Sequence, residues 1–166
     1  MIEGPIKYCP RCSSLLTHKF HAGKQRPTCP NCDWVYFPDP KVAVAILIRK
    51  EDQILLVQRT YDPQKGHWTL PSGFVDAGED PVEAAKRECL EETGLYIDHI
   101  QLLDVLYSQE HPRGASILIV YRADVRSGKL VAGDDANRAG YFNIHQLPPL
   151  AFSSTHSILE KYFKPM

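Results

Sequence analysis

No apolar stretch in the chain is long enough to cross a bilayer. The best of them, Val42 to Ile48, is seven residues and strand-sized, against the about 20 that a spanning helix needs. No basic segment followed by an apolar one precedes it, so the protein reads as soluble and cytoplasmic, without a secretory leader. Charge of one sign is also missing. Lys and Arg number 19 against 20 Asp and Glu, a net charge of −1, which excludes a surface given over wholly to binding a polyanion and makes a small partner the expectation. Cysteine is too sparse and too unevenly placed for a secreted disulfide scaffold: four of the five sit in two pairs near the N-terminus, and Cys89 stands alone. Internal repeats and low-complexity tracts are absent as well. What remains is a chain of 166 residues, enough for one sizeable core and a small appendage.

The appendage is the N-terminal part. Cys9-Pro10-Arg11-Cys12 and Cys29-Pro30-Asn31-Cys32 are separated by 16 residues, a spacing at which two thiolate pairs close round one tetrahedral Zn²⁺. The polar segment between them, Ser13 to Thr28 with a central Ala22-Gly23, suits a short hairpin and cannot form a core alone, so metal binding must supply its folding energy. Four thiolates leave no open coordination position, and the zinc of Cys9, Cys12, Cys29 and Cys32 is therefore structural. Up to Pro38 this piece carries five basic residues (Lys7, Arg11, Lys19, Lys24, Arg26) against Glu3 and Asp33, a net of +3. That is mildly basic and falls short of a nucleic-acid footprint. Trp34, Tyr36 and Phe37 read as packing residues rather than base-stacking ones. Residues 1–38 are assigned to the ribbon and 39–166 to the main domain.

After Pro38-Asp39-Pro40, the run Lys41 to Arg49 has the pattern of a strand buried on both faces, and Gln53 to Arg59 is its hairpin partner. A short strand is expected around His67 to Leu70, two more at Ile100 to Tyr107 and Ser116 to Val125, and a closing helix at Thr155 to Phe163. Between them, Asp80-Pro81-Val82-Glu83 is a helix start, with Asp80 as N-cap, Pro81 in the first turn and Glu83 placed to complete a capping box. Gly94 supplies the stop. On that helix Glu88, Glu91 and Glu92 lie at i, i+3 and i+4 beside an apolar stripe of Val82, Ala85 and Cys89, so three carboxylates share one arc. Unless one of them stays protonated, like charges so close call for a cation between the oxygens, and hard carboxylate oxygens in an open site select Mg²⁺ or Mn²⁺. Arg87, one turn before Glu91, can hold that carboxylate, and Glu79 can brace the preceding loop. Gly73 and Gly78 let the backbone approach closely.

The whole segment reads Gly73, five residues, Glu79, seven residues, Arg87-Glu88-Cys89-Leu90-Glu91-Glu92-Thr93-Gly94-Leu95. It resembles the Nudix signature Gly-x5-Glu-x7-Arg-Glu-U-x-Glu-Glu-x-Gly-U at every fixed identity, with Cys89 where an aliphatic residue is usual. The resemblance implies an α+β fold, an α/β/α sandwich around a mixed sheet. It implies Mg²⁺-dependent attack of water on a diphosphate, with two or more ions held by Glu88, Glu91, Glu92 and the Gly73 carbonyl. Family members differ in their general base: Glu88 is the choice within the box, while Glu110 and Asp135 are the acids outside it. Asp135 also stands where many relatives have a late metal-binding Glu, ahead of the aromatic pair Tyr141-Phe142.

With the ribbon and His67-Trp68-Thr69-Leu70-Pro71-Ser72-Gly73-Phe74-Val75-Asp76-Ala77-Gly78-Glu79, the chain is similar to zinc-ribbon members that act as ADP-ribose, NADH or FAD pyrophosphatases. The Ser-Gln-Pro-Trp motif of the NADH enzymes begins here as Ser108-Gln109 and then fails at Glu110-His111, which favours ADP-ribose or FAD, and Pro112 is in keeping with ADP-ribose members. Arg59, Lys65, Glu110, His111 and Arg113 are the candidate substrate contacts. Related enzymes are often homodimers, and the same is expected here. The rival functions are a house-cleaning nucleoside triphosphate pyrophosphohydrolase and a nucleotide-sensing regulator that binds nucleic acid.

Overall fold

The structure is a computed structural model that describes residues 6–108, 110 and 114–163. It divides into two compact units, Met1–Pro40 and Lys41–Met166.

In the first unit, β1 (Thr17–His21) and β2 (Lys24–Thr28) form an antiparallel hairpin whose turn is Ala22-Gly23. Both turn residues have positive φ, 47° and 77°, as a two-residue hairpin turn of the mirror type demands. Trp34 and Tyr36 pack ring to ring at 6.0 Å, and the Arg26 guanidinium lies 4.4 Å from the centre of the Phe37 ring.

The second unit is built around one hairpin, β3 (Val42–Lys50) with β4 (Gln53–Arg59), turned at Glu51-Asp52. The two strands pair only beside the turn, Arg49 with Ile54 and Lys50 with Gln53, and then part. β3 goes on to pair with β6 (Ser72–Phe74) on one side and, in parallel, with β8 (Ile117–Gly128) on the other. β8 in turn carries β7 (Leu95–Tyr107) at the sheet edge. β4 pairs instead with β5 (Trp68–Thr69) and with β9 (Ala136–Asn143). The mixed sheet is thus two leaves sharing a hinge hairpin, with β5 and β6 filling the gap where the leaves diverge.

Helices cover both faces. Val44, Ile46 and Ile48 of β3 join Ala84, Ala85 and Cys89 of α1 (Pro81–Thr93), while Ala45 and Leu47 join Ile158 and Leu159 of α2 (Ser153–Tyr162). The strict alternation of β3 between two cores explains why its sequence is apolar without a break. Each fully buried Val, Leu or Ile side chain here contributes about 1.5–3 kcal/mol. α2 is tied to β7 by Lys161, whose Nζ lies 2.7 Å from Asp104, and by the Tyr162 hydroxyl, which donates to the Leu103 carbonyl at 3.0 Å.

The expected strand at 53–59 is matched to the residue, those at 41–49, 67–70, 100–107 and 116–125 are present with shifted ends, β6 is an addition, and so is β9. Its sequence, Ala-Asn-Arg-Ala-Gly-Tyr-Phe-Asn, has no apolar alternation, and it is a strand because β4 pairs with it along its whole length.

Candidate active site and cysteine cluster

The helix that carries the acids is fixed at both ends. Asp80 Oδ1 accepts from the Val82 amide at 2.8 Å, and Pro81 occupies the first turn. At the other end Gly94, at φ 70°, donates to the Leu90 carbonyl. A Cβ at Gly94 would lie 2.7 Å from the Lys129 carbonyl oxygen, so close approach as well as conformation requires glycine there. The capping box is a correction: Glu83 does not reach back to Asp80 and instead pairs with Lys86 at 2.7 Å, an i,i+3 partner on the same exposed face.

Helical spacing decides which acids turn inward. Ala84, Glu88 and Glu92 follow one another at i+4 beside the buried Ala85 and Cys89, and all of them are buried, whereas Glu91 is exposed. Two carboxylates are thereby carried against the short strand β6. The Ser72 amide donates to Glu92 Oε2 at 2.8 Å. A Cβ on Gly73 would lie 2.0 Å from the Glu88 carboxyl carbon, so the Glu88 carboxylate fills the space a side chain at 73 would take.

Arg87 organises the rest. Its Nε and Nη2 grip Glu79 at 2.8 and 2.9 Å, Nη1 reaches Glu88 at 2.7 Å and Glu91 at 3.2 Å, and Nη2 also donates to the Phe74 carbonyl at 3.0 Å. This bidentate fork holds Glu79 down to a pKa of about 2, helped by the Asp76 amide. The arc of like charges read from the sequence is therefore relieved in part by arginine: Glu88 and Glu91 share its Nη1, and the relief does not come from a metal alone.

A third acid joins from outside the helix. Asp135 stands close enough to Glu92 and Glu88 to raise the proton affinity of both. Burial is the larger cause in each case, and it lifts Glu92 well above the usual carboxylate range despite the Ser72 amide.

Ser72, Gly73 and Asp135 also line a cavity of about 310 Å³. Arg59 lines it too, with its Nε donating to the Pro63 carbonyl at 2.9 Å and its guanidinium 4.9 Å from the centre of the Phe152 ring. Glu110 borders the same space, but its carboxylate is taken up at the start of α2 by the Ser153 and Ser154 amides, at 2.9 and 2.7 Å, and by the Ser153 hydroxyl at 3.2 Å. That bond set caps a helix whose own N-cap residue, Phe152, offers no acceptor. Lys65 is not among the cavity residues. It borders a separate groove with Gln58, Gly66 and Asn137. Gln109, His111, Pro112 and Arg113 lie outside the described residues. Phe152 and the backbone of Ser72 carried no signal in the sequence: one sits in a loop without periodicity, and the other acts through its amide.

In the first unit the four cysteine sulfurs all lie within 4.8 Å of one another, with Sγ···Sγ separations of 3.4–3.6 Å for Cys9–Cys32, Cys12–Cys29 and Cys12–Cys32. Tetrahedral Zn–S bonds of about 2.3 Å set sulfurs about 3.8 Å apart. The Asn31 and Cys32 amides both point at Cys29 Sγ at 3.4 Å, the donor pattern that stabilises a thiolate in a knuckle. Cys12 is lowered to a pKa of about 6 by the Ser14 hydroxyl and amide. Cys32, exposed and despite the Trp34 backbone, is raised to about 12 by desolvation among the thiols of Cys29, Cys9 and Cys12. Four sulfurs so placed cannot all ionise without a cation among them, and they fit one Zn²⁺.

A model of the NUDIX domain matches residues 39–162. The ADP-ribose pyrophosphatase of Methanocaldococcus jannaschii is 45% identical over 126 residues, which cover 75% of this chain and 74% of that protein. The NAD-capped RNA hydrolase NudC of Vibrio cholerae is 31% identical over 149 residues, covering 88% of this chain but 52% of that one, so the chain spans about half the length of that relative. Among solved structures, a NUDIX hydrolase from Nitrosomonas europaea superposes with a TM-score of 0.81 at 28% identity, covering 95% of this chain and 90% of that one.

Proposed function

The chain belongs to the NUDIX family, and on that premise we propose that it hydrolyses the diphosphate linkage of ADP-ribose with Mg²⁺, giving AMP and ribose 5-phosphate. The observation that carries this reading is the meeting of buried Glu88, buried Glu92 and Asp135 beside the cavity that Ser72, Gly73 and Asp135 line. NUDIX hydrolases use divalent metals, and the donor set here fits one. It is made of carboxylate oxygens raised in proton affinity by burial and by one another's charge, beside a glycine whose missing side chain gives the Glu88 carboxylate its place.

Glu88, Glu92, Asp135 and the Gly73 carbonyl are the residues that would hold Mg²⁺, with Glu91 available from the rim. Bound there, the ion neutralises diphosphate oxygens and lowers the pKa of the attacking water. The protein's own part is positional. Arg87 fixes the carboxylates of Glu79 and Glu88, so that the acids meet the substrate in one geometry. The Ser72 amide does the same for Glu92. Arg59, steadied by Phe152 and the Pro63 carbonyl, is the cation placed to meet substrate oxygens inside the cavity. Of the candidate general bases, Glu110 is set aside because its carboxylate is committed to α2, which leaves the role to Glu88 or Asp135 through an oxygen not given to the metal.

ADP-ribose is placed ahead of FAD and NADH on the 45% identity to the Methanocaldococcus jannaschii enzyme over three quarters of both proteins. A hydrolysis panel of ADP-ribose, NADH, FAD, CoA, diadenosine polyphosphates and dNTPs tests the choice: preference for ADP-ribose supports it, and preference for a dNTP replaces it with the house-cleaning reading. A cytoplasmic location is part of this reading, since a reducing compartment keeps the four clustered thiols available for zinc. The exposed Leu102, Val105 and Tyr107 on edge strand β7 accord with a homodimer.

A further inference from the structure

Asp135 belongs to no helix and sits at the end of the connection from β8 to β9, yet it lines the cavity together with Ser72 and Gly73, the residues against which Glu92 and Glu88 are held. Hydrogen bonds on two sides hold that connection, and none of the donors, Val131, Gly133 and Thr60, lines the cavity. On the helix side, the Val131 amide donates to the Thr93 carbonyl at 2.9 Å and the Gly133 amide to the Glu92 carbonyl at 3.3 Å. The loop thereby caps carbonyls that the end of α1 leaves free. The approach is close: a Cβ on Gly133 would stand 2.6 Å from the Glu91 carbonyl oxygen, which is backbone and cannot swing aside. On the sheet side, Thr60, just past β4, donates both its amide, at 3.0 Å, and its hydroxyl to the Asp135 carbonyl. Asp134 between them takes φ 51°, and the Ala136 amide closes the turn on the Gly133 carbonyl at 3.0 Å.

We propose that Thr60 and Gly133 are positioning residues for the hydrolytic site, clamping the 131–135 connection from opposite sides so that the Asp135 carboxylate faces Glu88 and Glu92. The inference rests on the reading of Asp135 as a metal-holding acid and assigns the two residues that make it one. Gly133 is required for its lack of a side chain, because any Cβ drives the loop off α1. Thr60 is required for its hydroxyl, because the amide bond alone leaves the carbonyl of Asp135 with a single donor on the sheet side.

The test uses the full chain and two readouts. The first is the Mg²⁺ concentration that gives half of the metal-induced rise in melting temperature, which needs no turnover. The second is kcat and KM for ADP-ribose. Thr60→Val is expected to raise the Mg²⁺ midpoint and lower kcat about tenfold with KM little changed, the loss of one well-placed hydrogen bond. Thr60→Ser restores both to within about twofold, and Gly133→Ala reproduces the Thr60→Val effect. In an Asp135→Asn background, Thr60→Val should cost nothing further, since the two act as one unit. An additive cost in that background, a Mg²⁺ midpoint unmoved by Thr60→Val, or a midpoint unmoved by Asp135→Asn overturns the proposal. Failure of the wild-type chain to hydrolyse ADP-ribose while the midpoints shift as described overturns only the choice of substrate.

Discussion

Replacing Arg87 with Lys keeps the charge and removes the fork, and the structure allows its cost to be worked through. The guanidinium makes five hydrogen bonds: two to Glu79 and one each to Glu88, Glu91 and the Phe74 carbonyl. A lysine ammonium has three donors on one atom and can keep the nearest carboxylate only. The Glu91 contact reaches a side chain 43% exposed and counts for almost nothing. The Glu88 contact, to a side chain only 11% exposed, is lost at most of its value, about 1–1.5 kcal/mol, and the Phe74 contact, at an exposed position, adds about 0.5 kcal/mol. The loss is about 1.5–2 kcal/mol, or roughly 5–8 °C in Tm for a unit of this size. Thermal unfolding followed by circular dichroism measures it.

The acid limb offers a second handle on the same variant. Glu79 has its folded pKa depressed to about 2 by Arg87, so its contribution is fully present above the ordinary Glu value near 4.3 and is lost as pH falls toward 2. Arg87→Lys should therefore show a flatter fall in stability between about pH 4.5 and 2. A Tm within 2 °C of wild type, together with an unchanged acid limb, refutes the hub role assigned to Arg87.

Gly73→Ala places a Cβ 2.0 Å from the Glu88 carboxyl carbon and should turn that side chain out of the site. The expected result is a fall in kcat of roughly 10²-fold, from misplacement on the order of 1 Å, with a Tm loss of about 1–3 kcal/mol equivalent. Full activity would remove Glu88 from the reaction. Elemental analysis should find one zinc per chain, and a chelator should release it with loss of the 17–28 hairpin while residues 41–166 keep their melting transition. No zinc, or a chelator-resistant hairpin, contradicts the cysteine assignment. Light scattering after size exclusion should give twice the chain mass, and Leu102→Glu with Val105→Glu should halve it. A monomeric wild type rejects the dimer.

Much of the site was legible because its signals are local. Asp80, Pro81 and Gly94 set the ends of α1 through the chemistry of their own residues, and the i, i+3, i+4 spacing of the acids followed from the helix. The cysteine pairs announced themselves in the same way. What escaped was set by distant partners. Glu83 had the position for a capping box, yet Lys86 one turn on competed for its carboxylate. β9 has no pattern of its own and exists because β4 pairs with it. Glu110 looked like a free loop acid and turns out to cap α2, 43 residues away. β7 begins at Leu95, well before the expected Ile100, because the positive φ of His99 and the attendant register shift break the alternation that marks a strand. Lys65, a basic residue near the box in sequence, faces a different groove, because the loop around Pro63 and Gly66 turns it away.

The central claim is that buried Glu92, held by the Ser72 amide beside Glu88 and Asp135, serves Mg²⁺-dependent cleavage of a diphosphate. The direct test is the rate of ADP-ribose hydrolysis with Mg²⁺ by wild type and by Glu92→Gln, which keeps the shape and an acceptor for the Ser72 amide while removing the charge. Wild-type turnover to AMP and ribose 5-phosphate, falling on the order of 10³-fold or more in the variant, is the predicted result. Near-normal turnover by Glu92→Gln, at a folded Tm, would contradict it.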